Sequence, residues 1–174
     1  VPILNPEHLF EQAEKLTLPP PAGPPRQVDL RRAISSAYYG LFHAILTAAA
    51  DEYVGVTKRS TAHYSLLYRS VSHGTLKSLC LEVKRPNLTP KYVPYAPNGG
   101  FDANIKTFAT AVVELQEKRH GADYDPLIRV KTADAQLIIT IARSALDRFA
   151  TASAVQRKAF LTLLLFPPLK GTSP

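Results

Sequence analysis

Arg119 stands where an aliphatic side chain is expected. Ile105, Phe108, Val112 and Leu115 step by three and four, and the next step on the same helix face lands on Arg119, inside the run EKRHGADYDP from Glu117 to Pro126. Side chains at that spacing share a face, so the guanidinium points toward the core or an interface. Two chemistries fit. A cation in the last turn of a helix meets the negative end of its dipole, worth about 0.3 to 1 kcal/mol. A planar guanidinium at the floor of a groove instead takes a phosphate or carboxylate through paired hydrogen bonds. Asp123 or Asp125 can pair with it across the turn, and Tyr124 offers a ring for stacking.

A second line lies in LRRAISSAYYGLFHAI, Leu30 to Ile45. Arg32, Ser36, Tyr39 and His43 are spaced four, three and four, a stripe about 16 Å long at 1.5 Å per residue. It is distinct from the apolar face of Ile34, Tyr38, Leu41, Ile45 and Ala48. Arg32 suits phosphate, Tyr39 suits a base, and His43 titrates near neutral pH. The bland alternative is a second packing face on which Tyr39 and His43 hydrogen-bond into neighbouring helices, with Gly40 allowing a close approach.

The elements that must position these residues are helices, because apolar residues recur at three and four almost throughout. The pattern predicts an all-α, up-and-down bundle of five or six helices forming one domain over residues 1–174. The first runs from about Pro6 to Leu16 and is ended by LPPPAGPP, Leu18 to Pro25. The second covers about Val28 to Val54 and the third Ala62 to Val83. RPNLTPKYVPYAPNGG, Arg85 to Gly100, reads as one long Pro/Gly-rich loop. The fourth helix spans about Asp102 to His120 with Gly121 as its stop. Asp125-Pro126 then opens a last helix reaching toward Phe166, which SAVQ, Ser153 to Gln156, is placed to break.

Composition narrows the function classes. Hydrophobic residues make up 45% and charged residues 20%, an ordinary globular balance. The 21 basic and 14 acidic residues leave a net charge of +7, which favours an acidic partner. The basic residues are scattered, with no run of five. Cys80 is alone, there is no CxxC pair, and the five histidines include none three or four apart, so neither a disulfide nor a metal site is predicted. Phosphate-loop and dinucleotide fingerprints are absent, and no cofactor is called for. The most apolar run, AFLTLLLFPPL, is too short for a membrane span and is cut by two prolines. The expectation is a soluble, cytoplasmic protein.

With those residues in view, the chain resembles the HEPN family, the higher eukaryote and prokaryote nucleotide-binding helical domains. The resemblance is carried by Arg32, Ala33, Ser35, Tyr38, Tyr39, Phe42 and His43, and then by Arg119, Ala122, Asp123, Tyr124 and Asp125. It implies a four- or five-helix bundle that dimerises and associates with RNA or nucleotides, in settings of toxin-antitoxin or defence type. Catalytic members resemble metal-independent endoribonucleases that carry an arginine, four to six residues, then a histidine. This chain departs from that pattern. Arg59 to His63 and Arg69 to His73 are each one residue short, and Arg119 is followed by Tyr124 where the histidine would stand. A tyrosine of ordinary pKa, about 10, is a poor base at neutral pH, so a nuclease here would have to borrow His43 or His120 from a neighbour in space.

Two functions follow as expectations. One is an RNA- or nucleotide-binding module in which Arg119 and Arg32 meet phosphate, while Tyr39, Tyr124 and the loop tyrosines Tyr92 and Tyr95 stack on bases. The other is a non-catalytic interaction or scaffold domain, acting as a homodimer, in which the same arginines and tyrosines hold the bundle together.

Overall fold

The computed structural model describes residues 4–169; the outermost residues of the predicted domain, 1–3 and 170–174, lie outside the described residues. Seven α-helices are present there, α1 Pro6–Leu16, α2 Gln27–Tyr53, α3 Ala62–Tyr68, α4 His73–Val83, α5 Ala103–Tyr124, α6 Thr132–Thr151 and α7 Ala154–Leu165, with no strand among the described residues. The long α2 forms the centre, packed against α1, α5 and α6, with α3 against its C-terminal half through His43 and Asp51. It is long and apolar enough by composition to cross a membrane, and 72% of its most apolar window is buried against the other helices.

Local chemistry sets most of the boundaries. Asn5 caps α1 by accepting from the Glu7 amide at 3.0 Å, with Pro6 at the first turn where its missing N–H costs nothing. Ser153 caps α7 by accepting from the Gln156 amide at 3.3 Å, so the break expected at SAVQ falls there. Asp102 caps α5 through the Ile105 amide at 2.9 Å.

The count of seven exceeds the five or six expected, and the differences have physical causes. The predicted helix from Ala62 to Val83 is two helices. Ser70 bonds back to the Leu67 carbonyl at 2.7 Å, and Ser72 accepts from the Thr75 amide at 3.1 Å, so one helix closes and another opens within a few residues. Gly121 does not stop α5, which continues to Tyr124. It sits inside the helix because a Cβ there would lie 2.7 Å from Ile128 Cδ1. Asp125 does not open a helix either: it accepts from the Leu127 amide at 2.9 Å in a tight turn, and α6 begins only at Thr132. Between α4 and α5 the chain carries a 3-10 turn, Val93–Tyr95, and buried Glu82 ties Thr89 down through its amide and its hydroxyl.

The core is aliphatic and aromatic. Phe108, Phe149 and Phe160 pack edge and tilt at 5.0 to 5.8 Å between centroids, joining α5, α6 and α7. On α5 the register holds: Ile105, Phe108, Val112 and Leu115 are fully buried, and Arg119 is the next residue on that face.

Candidate functional site: an arginine between two tyrosines at the α4–α5 groove

The Arg119 guanidinium lies over two aromatic faces, 5.5 Å from the Tyr38 ring centre and 5.4 Å from that of Tyr39. Its side chain is 11% exposed. Asp123, one turn on, brings a carboxylate oxygen to 3.5 Å from Nε, close enough for an ion pair but misaligned for a hydrogen bond; Nε is buried without a partner. The other Asp123 oxygen accepts from the Ser35 hydroxyl of α2. No acceptor among the described residues hydrogen-bonds the Arg119 guanidinium.

Behind this cation are two histidine–tyrosine pairs. Tyr38 Oη is 2.8 Å from His73 Nδ1, and Tyr68 Oη is 2.7 Å from His43 Nδ1. Burial pushes the Tyr38 phenol well above its ordinary range, so it stays protonated and donates. Burial also lowers the pKa of both histidines, and for His73 the Arg119 charge lowers it further. The neutral His73 ring therefore accepts at Nδ1 and keeps its proton at Nε2. Its ring packs 4.0 Å from Phe42, and the His73 carbonyl accepts from Gln116 at 3.3 Å.

In front of Arg119 opens a groove of about 630 Å³, lined by Lys77 of α4 and by Gln116, Glu117, Arg119, His120 and Tyr124 of α5. Lys77 pairs with Glu117 at 3.3 Å. Tyr124 is 67% exposed and packs on His120 at 4.9 Å. Nearby Arg31 is engaged by the backbone, donating to the carbonyls of Ala122, Asp125 and Ile128 at 3.3, 2.6 and 2.7 Å, which fixes the chain after α5 against α2.

Of the residues singled out from the sequence, Arg119 and Tyr124 line one groove, Asp123 flanks the guanidinium, and Tyr39 lies beneath it. His43 sits behind Tyr39, 6.4 Å between centroids, engaged with Tyr68. Arg32 is exposed and, among the described residues, makes no side-chain hydrogen bond or ion pair. Ser36 faces away, donating to Gln12 of α1 at 3.1 Å. Sequence reasoning missed His73, Gln116 and Tyr68. The Ser72 cap signal just before His73 would have marked the helix start that turns this ring inward.

The arrangement can hold an anion at a cation whose donors are uncommitted, beside an exposed ring. The histidine that lines the groove is His120, and no hydrogen bond among the described residues orients it. No protein-family model, curated protein or solved structure matches this chain. The HEPN resemblance accordingly rests on the quoted motifs.

Proposed function

We propose that this chain is an HEPN-like module that binds RNA or nucleotide phosphate in the Arg119 groove. One observation carries this reading: a guanidinium 11% exposed, stacked on two tyrosines at the wall of an open groove, with no hydrogen-bond acceptor of its own. A cation removed from water is costly unless it is paired and hydrogen-bonded, and a phosphate oxygen in the groove would accept from the terminal guanidinium nitrogens, for which no protein acceptor is found among the described residues. Lys77 also lines the groove but is paired with Glu117, so Arg119 is the cation offered to a ligand there, and Tyr124 supplies a stacking surface. The surplus of 21 basic over 14 acidic residues steers polyanions toward it.

The test is Arg119→Ala, read by fluorescence anisotropy with a short single-stranded oligoribonucleotide at two salt concentrations. One charge-assisted contact is worth about 1.5 to 3 kcal/mol, so affinity falls about tenfold or more. Stability falls only by the stacking lost on Tyr38 and Tyr39, about 0.5 to 2 kcal/mol, because Asp123 keeps its bond to Ser35 and some exposure. Unchanged affinity in a variant that melts much earlier overturns the phosphate site.

A second reading, a homodimeric interaction domain, is favoured by a different observation. Leu137, 58% exposed, lines a groove of about 280 Å³ with Ile128, Val130 and Ile138 under a charged rim that includes Lys118 and Asp134, and Leu127, next to Ile128 in the chain, is 85% exposed. Sedimentation of the wild type and of Leu137→Asp at micromolar concentration decides it: a dimer dissociated by the aspartate supports a seam on this face, and a monomeric wild type removes it.

A further inference from the structure

The α4–α5 seam has a second cleft at its far end. α4 and α5 run antiparallel, with Lys77 beside Glu117 at one end and Val83 beside Lys106 at the other. At that far end lies a cleft of about 400 Å³ lined by Arg85 and Lys106 among Val83, Val93 and Phe101. From Lys84 to Lys106 the chain has four basic residues and one acidic residue, Asp102, whose carboxylate is occupied in capping α5. Among the described residues neither Arg85 nor Lys106 forms an ion pair or a side-chain hydrogen bond. Glu82, the other carboxylate nearby, is buried and bound to Thr89. Tyr95, 58% exposed, stands on the turn that walls the cleft, and Lys91 lies 5.1 Å over the neighbouring Tyr92 ring.

Each end of the seam thus has cations and an exposed tyrosine. Arg119 and Lys106 are thirteen residues apart on one helix, about 20 Å at 1.5 Å per residue. Along the way Glu117 is paired with Lys77, and Glu114 lines the groove on the α6 side of the helix. Resting on the reading of the Arg119 groove as a phosphate site, we propose that the ligand is a single-stranded polynucleotide, not a mononucleotide, lying along the α4–α5 seam with phosphates at Arg119 and at Arg85/Lys106. About six stacked nucleotides at ~3.4 Å each cover that distance. Unpaired bases can reach tyrosines at both ends, whereas a duplex keeps its bases stacked inside.

The experiment compares the wild type, Arg119→Ala and the double change Arg85→Ala/Lys106→Ala against single-stranded oligoribonucleotides of two and ten residues. An acidic peptide of matched charge is the control. The double change removes no intramolecular partner, so its melting temperature should match the wild type. Expected is a loss of roughly tenfold for the decamer and little for the dinucleotide, with the salt slope of log affinity shallower by about 1.4 for two lost phosphate contacts. Arg119→Ala should weaken both ligands. If the double change leaves the decamer unaffected while Arg119→Ala weakens it, the extended track is wrong and the phosphate site at Arg119 stands. If the double change weakens the decamer but Arg119→Ala does not, the reading of the Arg119 groove falls, and the track with it. Equal or tighter binding of the acidic peptide also overturns the proposal.

Discussion

Among the described residues two arginines rest on aromatic rings, and their surroundings differ in burial and in what the guanidinium donors meet. Arg143 of α6 lies 4.7 Å over the Phe10 ring and donates to Glu14 at 2.9 Å and to Glu7 at 2.6 and 3.1 Å. Arg119 lies over Tyr38 and Tyr39 at similar distances but finds one misaligned carboxylate. The stacking energy is comparable, about 0.5 to 2 kcal/mol according to desolvation. What differs is the use of the N–H donors. At Arg143 they tie α1 to α6; at Arg119 they are left for something else. It is this buried cation with uncommitted donors, more than charge or burial alone, on which the proposed binding surface rests.

The comparison breaks most severely at the ring beneath Arg143. Phe10 is 1% exposed, and its ring lies so close to α2 that a Cβ at Gly40 would meet it at 2.8 Å. Phe10→Ala is expected to cost about 3 to 5 kcal/mol by thermal unfolding, while RNA affinity at a temperature where the variant is folded stays at the wild-type value. A large affinity loss there would mean that α1 contributes to the groove.

Arg143→Ala should cost about 1 to 2 kcal/mol of stability, since its carboxylate partners are half exposed and the stacking is lost too. Oligoribonucleotide binding should not change. For Arg119→Ala the proposal expects an affinity loss on top of the lost stacking, so the two variants measured side by side test whether the Arg119 guanidinium does more than hold the bundle together.

Acidification probes the histidines behind the groove. His43 and His73 have folded-state pKa values below the ordinary value of about 6.5, burial being the first cause in each case. Below that value the unfolded chain takes up protons that the folded one resists, so stability is full above about pH 6.5 and falls as pH drops toward the depressed values. His73→Gln should flatten the slope of unfolding free energy between pH 7 and pH 5. The depressed carboxylates, Asp51 beside Arg59 and Glu7 beside Arg143, add a loss at lower pH, as pH falls through their own folded values. A wild type whose stability does not change from pH 7 to pH 5 would contradict the buried, neutral state of both rings.

The smallest effect sharpens the comparison most. Asp123→Asn keeps an oxygen for the Ser35 hydroxyl and removes the competing charge 3.5 Å from Arg119 Nε. Affinity for oligoribonucleotide should rise about two- to fivefold, the size of a weak ion pair. A drop of several degrees in melting temperature without that rise would make the pair structural.

How much of this was legible in the amino-acid sequence differs between register and meeting. The repeat of three and four determined that the chain is helical, that Ile105, Phe108, Val112 and Leu115 face the core and that Arg119 shares their face, because helix periodicity is a local property. Ser153 announced a helix start for the same reason. Gly121 and Asp125-Pro126 misled, since a glycine inside a helix and a turn before one carry the same local signals as a stop and a start. Tertiary structure alone decided that His73 meets Tyr38, 35 residues away, that Arg31 rather than Arg32 grips the end of α5, and that Asp123 bonds Ser35 while leaving Arg119 without an acceptor. Those contacts join segments whose separation leaves no periodic trace, and the geometry of a hydrogen bond, the difference between Arg143 and Arg119, exists only once the helices are packed.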